Sequence, residues 1–497
     1  MRGMREPIAR WDWRAALGLV AALAVVSPAA AADGPLVDAV KAGDASAVRS
    51  LLADGVSVST AEVDGTTVLH WAAHHDRQEI AGLLLEAGAT VDATNRYGVT
   101  PLALASLNGS TPMVARLLAA GADPNLPNPE GETPLMTAAR TGNAGSIDTL
   151  LKHGAEVDAV EAWRGQTALM WAAAQNQAPA VVALLSAGAD PNARSERGFT
   201  PVLFAAREGH LDVLGALVRA DADVDDALPS SGMSALVLAV YNAQYDFAKA
   251  LLDLGADPDA AGNGWTALHQ VVWTRRPNLG RNPPFPVPHG DLDAFDLVRA
   301  LSAAGADFDA RQTKEPRDGN RNMLKRIGST PFLQAAKVAD AEMMRLLVDL
   351  GADPSITTEE GVTPLMAAAG VGIWKIGENP GTNDEALEAV KLARELGNDV
   401  NAADTNGDTA LHGAIHRGAG NIVRFLVEAG ADIDAVNEKG WSALSVAQGV
   451  FYPNTFNRHP ELVTLLLDLG AAPDAGSRRV EDLSPEERLA LAEQQEP

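Results

Sequence analysis

A few segments of the chain place histidines or carboxylates side by side, as metal sites often do. The segment His74-His75-Asp76 offers three such groups, but neighbouring residues on a helix point in different directions, and the sequence offers no further ligand beside them. The segment from Asp404 to Asp408 resembles the start of a calcium-binding loop. Thr409 stands where that loop needs glycine, and Ile415 stands where it needs glutamate. We therefore expect no metal ion at either segment.

Residue types that support catalysis are scarce. The chain has no cysteine, which excludes thiolate nucleophiles, disulfide bonds and cysteine-based metal sites. Gly370-Val371-Gly372 lacks the third glycine of a dinucleotide-binding loop. We expect a protein that is not an enzyme and that has no cofactor. One alternative stays open, a small-molecule or peptide pocket at residues 273–328 with hydrolytic activity, for which His289 and Asp291 are the suggestive groups.

The chain is strongly acidic. Its 497 residues include 65 aspartates and glutamates against 39 lysines and arginines, so the formal net charge is −26. Because the phosphates of a nucleic acid repel such a surface, we do not expect nucleic acid among the partners.

Residues 1–32 have the pattern of a secretory signal peptide. Four arginines precede an apolar run from Ala15 to Val26, and Ala30-x-Ala32 suits cleavage before Asp33. The run has 12 residues, fewer than the roughly 20 that a membrane-spanning helix needs. We expect an exported protein, periplasmic or extracellular, with no membrane span in the mature chain; the alternative is a membrane anchor formed by an uncleaved signal. Without this segment, which carries four arginines and two acids, the net charge becomes −28.

A threonine or serine followed by small and apolar residues recurs along the chain at a nearly constant step. The first intervals are 33, 33, 34, 33, 34 and 32 residues. We call these residues the anchors: Thr67, Thr100, Thr133, Thr167, Thr200, Ser234, Thr266, Thr330, Thr363, Thr409 and Ser442. Such a period predicts one array of stacked units rather than several separate domains.

The repeat that begins at Thr100 illustrates the local structure. Thr100 can cap a helix whose first residue is Pro101, and Asn108-Gly109 ends that helix. A second helix opens near Pro112 and stops at Gly121. Each helix has only about 8 to 10 residues, which is too few to be stable alone, so stacking must supply the stability.

This motif and period resemble the ankyrin repeat, here of an exported, bacterial type with insertions. The resemblance covers about residues 34–475 and implies an all-α solenoid of helix-turn-helix units joined by short hairpin-like turns. With a capping repeat near Pro35 we count about 12 repeats, in a domain over residues 33–475. Residues 476–497 form a charged tail, for which we predict a short helix. Trp71 and Trp171 take a position where the family has leucine, so we expect both to pack in the core.

The period fails at four places, where we predict insertions. They lie near residues 276–290, 312–327, 370–384 and 451–460. The first is rich in proline and lies between the two helices of its repeat, and the second lies in the turn before Thr330. Insertions in a solenoid form loops, often on the binding face.

The resemblance implies that partners contact the turn tips and the exposed ends of the first helices. Two rows of positions sample this surface. The tip row, one residue before each anchor, is Thr66, Val99, Glu132, Gln166, Phe199, Met233, Trp265, Ser329, Val362, Asp408 and Trp441. The palm row, seven residues after each anchor, is His74, Leu107, Arg140, Ala174, Arg207, Tyr241, Trp273, Lys337, Gly370, His416 and Gly449.

Aromatic residues concentrate in the middle of both rows. Phe199, Met233 and Trp265 follow one another in the tip row, beside Tyr241 and Trp273 in the palm row. With Arg207 at its edge, this group predicts an exposed patch of the residue types that dominate protein interfaces. The other interpretation is that these rings pack on the insertions and are buried. The protein-binding candidates are therefore Phe199, Arg207, Met233, Tyr241, Trp265, Trp273, Arg140 and His74.

The insertion near 312–327 is locally basic. Residues 311–328 contain six cations and two acids in a chain of net charge −26. We predict an anion-contact loop that includes Arg317, Arg321, Lys325 and Arg326. The alternative is a solvated loop held by neighbouring acidic turns.

Taken together, the sequence predicts a non-catalytic protein-interaction scaffold. We expect an exported monomer that binds a protein through its concave face and insertion loops. Besides the pocket described above, a second alternative is a secreted effector that acts on a host protein.

Overall fold

The computed structural model of the chain describes residues 34–277, 286–288, 290–315, 324–373, 380–449 and 458–473. Several predictions fall outside these residues: the signal peptide, the tail helix, His289, Arg317, Arg321 and most of the insertions near 276–290 and 451–460.

Twelve consecutive helix pairs form the part of the chain that the structure describes. The first six pairs are α1 Pro35–Ala42, α2 Ala45–Ala53, α3 Val68–His74, α4 Gln78–Glu86, α5 Pro101–Leu107, α6 Thr111–Ala119, α7 Pro134–Thr141, α8 Ala144–Lys152, α9 Ala168–Ala174, α10 Ala178–Ser186, α11 Pro201–Glu208 and α12 Leu211–Arg219. The last six are α13 Ala235–Tyr241, α14 Tyr245–Asp253, α15 Ala267–Arg275, α16 Ala294–Ala303, α17 Pro331–Lys337, α18 Ala341–Asp349, α19 Pro364–Ala369, α20 Asn383–Glu395, α21 Ala410–Arg417, α22 Gly420–Glu428, α23 Ala443–Gln448 and α24 Pro460–Asp468. The predicted all-helical solenoid is confirmed.

The chain divides into two compact units. One comprises the described residues up to Ala138 together with Asp148–Ala155, and the other comprises Ala139–Ile147 together with the described residues from Glu156 onward.

The anchors begin the first helices as the sequence predicts. Thr100 accepts a hydrogen bond from the backbone N–H of Ala103 at 3.1 Å, and Pro101 is the first helical residue. The cap satisfies a backbone donor that has no partner within the helix. Gly121 follows α6 with φ of +93°, a left-handed conformation that favours glycine. Single antiparallel bridges such as Ala61 with Thr67 close the turns between repeats.

Histidines at the fourth anchor position join neighbouring repeats. His70 Nδ1 accepts from the backbone N–H of Thr67 at 3.1 Å, which leaves Nε2–H to donate to the carbonyl of Val99 at 2.8 Å. His269 and His412 make the same contact with Ser329 and Trp441 of the following turns. These three imidazoles therefore join consecutive repeats.

Part of the acidic excess has a structural explanation. Carboxylates near the ends of the second helices accept backbone N–H groups from the next repeat, as Asp225 does from Asp257 at 2.7 Å. Asp158 does the same for Asp190 at 3.1 Å, and Asp309 for Asp353 at 2.8 Å. These carboxylates satisfy backbone N–H donors in the turns.

Candidate protein-binding face

Phe199 and Arg207 lie together at the start and end of α11. The rings of Phe199 and Phe204 are 5.1 Å apart, and the Arg207 guanidinium lies 5.5 and 5.2 Å from their centres. Arg207 also donates to Glu208 at 2.7 Å, and its side chain is 18% exposed. Two of the predicted residues therefore form one half-buried cation–aromatic group.

An exposed tryptophan adjoins this group, and the sequence analysis missed it. Trp163 is 72% exposed, and the Arg164 guanidinium lies 4.4 Å from its ring centre. Burial lowers the pKa of Arg164, and the positive charges of Arg197 and Arg207 lower this pKa further. Arg197 and Arg207 therefore each lie within electrostatic range of Arg164, as does the carboxylate of Glu161, which raises this pKa. We call Trp163, Arg164, Arg197, Phe199 and Arg207 the arginine–aromatic cluster.

The turn before α9 fixes the tip of this cluster. The buried carboxylate of Glu161 accepts the backbone N–H groups of Trp163 and Arg164 at 2.6 and 2.9 Å. The carbonyl of Arg164 accepts the N–H of Glu196 in the next turn at 2.8 Å. Trp163 stands four residues before its anchor, Thr167, and therefore belongs to neither the tip row nor the palm row. Its aromatic side chain in a turn is the sequence feature that could have identified it.

The aromatic patch predicted from Phe199 to Trp273 is not continuous. Met233 is 6% exposed and Leu228 beside it is equally buried, because the N–H of Leu228 donates to the carbonyl of Met233 at 2.9 Å and closes the turn. The expectation of an exposed Met233 is therefore wrong. Tyr241, at the end of α13, is 39% exposed.

Trp265 and Trp273 form a second group that supports an insertion. Their ring centres are 5.4 Å apart, and both side chains are half-buried. Trp273 Nε1 donates to Gln334 Oε1 at 3.0 Å, and the Arg326 guanidinium lies 5.4 Å from its ring centre. The interpretation that these rings pack on an insertion fits Trp273 better than an open patch does.

Arg140 and His74 do not belong to either group. The Arg140 guanidinium lies 5.5 Å from the ring centre of Trp171. His74 contacts Trp71 edge to face at 5.9 Å, in the other compact unit. We expected Trp71 and Trp171 to pack in the core, but both are half-buried. Lys41 lies over the ring of Trp71, and Arg140 lies over the ring of Trp171.

The basic insertion is held by acidic and carbonyl groups where it is described. Lys325 pairs with Glu360 at 2.7 Å, and Arg326, 7% exposed, pairs with Glu315 at 3.5 Å. Arg311 and Lys314 donate to backbone carbonyls, the latter to Gly262 at 2.6 Å. These contacts support the solvated-loop interpretation for Lys325, and the buried Arg326 is not positioned to contact an external anion.

A cavity of about 240 Å³ lies farther along the same rows. Tip-row residues Val362, Asp408 and Trp441 line it together with His416 of the palm row. Its apolar wall consists of Leu324, Val362, Val371 and Ile373, each less than 7% exposed. We call it the insertion cavity, because residues 324–325 and 371–373 belong to the two insertions near 312–327 and 370–384.

The polar side of the insertion cavity is built on α21 and two turns. Asn437 Nδ2 donates to Asp408 Oδ1 at 2.9 Å. Burial lowers the pKa of His416 to about 4. The charge of Asp408 raises this pKa, whereas the neighbouring His412 and His459 lower it. The imidazole is therefore neutral at physiological pH.

The insertion cavity differs in place from the pocket that the sequence suggested. Of its lining, only Leu324 and Lys325 fall within residues 273–328. The backbone N–H of Asp291 donates to Asp246 at 3.0 Å, and Asp291 does not line the cavity. Among the described residues, no group of three or more histidine and carboxylate side chains is arranged to hold a metal ion.

No helix within the described ranges combines the length and apolar character needed to cross a membrane.

Comparison with known proteins identifies the repeat. The family model "Ankyrin repeats (3 copies)" matches residues 36–128, 102–195, 176–262, 202–279 and 382–477. Human Ankyrin repeat and SOCS box protein 16 is 33% identical over 217 residues, which are 43% of this chain and 42% of that protein. The E3 ubiquitin-protein ligase KEG of Arabidopsis thaliana is 26% identical over 268 residues, or 50% of this chain and 16% of that protein.

The matched relatives come from animals and a plant, and the chain spans less than half the length of each relative named here. The crystal structure of the human ASB11 ankyrin repeat domain covers 45% of this chain and 99% of its own, with 28% identity and a TM-score of 0.41. Since the family model matches well over half of the residues, the chain belongs to the ankyrin-repeat family.

Proposed function

We propose that the chain is a non-catalytic scaffold that binds a protein partner through its tip row, its palm row and the adjoining insertions, which make up the concave face in this family. The observation that carries the proposal is the arginine–aromatic cluster. It presents an exposed Trp163 beside Arg164, and tryptophan and arginine dominate the energetics of protein interfaces.

The cluster can act locally despite the acidity of the whole chain. At physiological salt, charges more than about 8 Å apart are largely screened. A partner at the cluster therefore responds to Arg164, Arg197 and Arg207, together with the neighbouring carboxylates of Glu161 and Glu208, more than to distant carboxylates. The ring faces of Trp163 and Phe199 add apolar area at the same place.

The experiment compares partner capture by the full chain and by Trp163→Ala combined with Arg164→Ala. We expect at least one protein from the native source to be retained by the wild type and reduced by about 30-fold by the double variant, the loss typical of an interface hot spot. The thermal midpoint should stay unchanged, since Trp163 is exposed.

Lys249→Ala combined with Leu254→Ala is the matched control. It removes a cation and an apolar side chain that are also exposed, but from α14 and the residue after it. Equal loss of capture in both double variants, or undiminished capture by the Trp163 and Arg164 variant, would contradict the proposal.

We also propose that the protein is exported, on the pattern of residues 1–32. N-terminal sequencing of protein from the periplasm or medium of the native source should begin at Asp33. Recovery of the uncleaved chain from the membrane would instead support an anchor, and recovery within a host would support a secreted effector.

A further inference from the structure

The insertion cavity exists because two insertions meet. A Cβ atom at Gly372 would lie 2.5 Å from the backbone nitrogen of Leu324, so the two segments touch at a contact that requires glycine. A Cβ at Gly413 on α21 would lie 2.5 Å from the nitrogen of Val371. Residues of two insertions thus contribute to one wall of the cavity.

The lining of the cavity combines apolar and acidic groups. Leu324, Val371 and Ile373 line it together with Asp404 and Asp408. Asp404 is occupied by the backbone N–H groups of Asn406 and Asp408, at 2.8 and 2.9 Å. Asp408 is held on one oxygen by Asn437, and no ion pair within the described residues engages either aspartate.

The charges of the lining do not cancel. Lys325 is paired with Glu360 at 2.7 Å, and the Lys439 ammonium lies 5.0 Å from the ring centre of Trp441. These two cations stand against Glu360, Glu438 and the two aspartates, which gives a formal charge of −2 with His416 neutral. A volume of about 240 Å³ lies below the roughly 300 Å³ at which pockets for drug-sized molecules begin, so it suits a single side chain.

We propose that the insertion cavity binds one cationic side chain, arginine or lysine, from a segment of the protein partner. The methylene groups pack on Leu324, Val371 and Ile373, and the charged head reaches Asp408. Arginine and lysine combine an apolar stem with a charged end, which matches a lining that is partly apolar and partly acidic. This inference rests on the proposed function, because it names the chemistry of a partner bound on the same rows.

Fluorescence polarisation with two labelled peptides tests it. One is Gly-Ala-Leu-Arg-Leu-Ala-Gly, and the other carries citrulline in place of arginine, which keeps the shape and removes the charge. We expect the full chain to bind the arginine peptide at least about tenfold more tightly, as hydrogen bonds to charged groups predict. Asp408→Asn should reduce the affinity for the arginine peptide to that for the citrulline peptide.

Glu132→Gln is the control variant, because Glu132 holds the same tip-row position in a repeat without an insertion. It should leave both affinities unchanged. Equal binding of the two peptides, no binding of the arginine peptide up to about 1 mM, or an Asp408→Asn chain that binds like the wild type would overturn the inference. If that happens while the Trp163 and Arg164 variant still loses its captured partner, the proposed function stands and only the cavity assignment fails.

Discussion

Repeats of regular length and repeats with insertions use the same two rows differently. In the regular repeat anchored at Thr200, Phe199 and Arg207 contact side chains of their own repeat. In the interrupted repeat anchored at Thr266, an inserted residue, Arg326, covers the ring of Trp273. The insertions therefore change the surface that a partner meets, by covering one row position and enclosing others in a cavity.

The hydrogen bonds from the anchor histidines to the next repeat occur in both kinds of repeat. His70 reaches a carbonyl 29 residues ahead at 2.8 Å, and His269 reaches one 60 residues ahead at 3.1 Å. The insertion before Thr330 thus leaves the contact between consecutive repeats almost unchanged.

Ion pairs give the largest expected difference between the two regions. Arg275, at the end of α15, donates to the fully buried Asp340 at 2.8 Å, and Arg276 bridges it to Glu385. Arg275→Gln with Arg276→Gln leaves the Asp340 carboxylate buried without a cation. We expect the free energy of unfolding to fall by about 3 to 5 kcal/mol, measured by urea titration with circular dichroism.

The exposed pair of Lys249 and Asp253 in a regular repeat provides the contrast. Its side chains are 43% and 63% exposed at a distance of 2.6 Å. Lys249→Gln should change the free energy of unfolding by less than about 0.5 kcal/mol. If both variants lost similar free energies of unfolding, Arg275 and Arg276 would not stabilise Asp340, and the predicted difference between the two regions would be wrong.

The fold could be predicted from sequence because each repeat carries its own local signals. Thr100 as a cap, Pro101 after it and Gly121 at the end act within a few residues, and the period repeats them. The histidines at the fourth anchor position belong to the same repeated motif. Two changed intervals between anchors, from Thr266 to Thr330 and from Thr363 to Thr409, indicated three of the insertions, and the fourth follows the last anchor, Ser442.

The candidate sites could be predicted only in part, because they depend on contacts between distant segments. The tip row contained Asp408 and Trp441, and the palm row contained His416, but nothing local indicated that Leu324 would contact Gly372 beside them. The burial of Met233 depends on the hydrogen bond that closes its turn, which composition does not encode. The sequence pointed toward Trp265 and Trp273, whereas among the described residues the exposed tryptophan is Trp163.

A smaller expected effect concerns the pH dependence of stability, which tests whether His269 of the interrupted repeat is shielded from water. Burial lowers the pKa of His269 to about 4, well below its value in the unfolded chain. Between about pH 6.5 and 4, the unfolded state therefore binds a proton at this ring and the folded state does not. The stability that is present above about pH 6.5 is lost as the pH falls toward 4. Between about pH 7.5 and 5, the free energy of unfolding of His269→Gln should fall by about 1 to 2 kcal/mol less than that of the wild type. The exposed His153→Gln is the control, and an unaltered pH dependence in His269→Gln would show that water reaches the ring through the insertion.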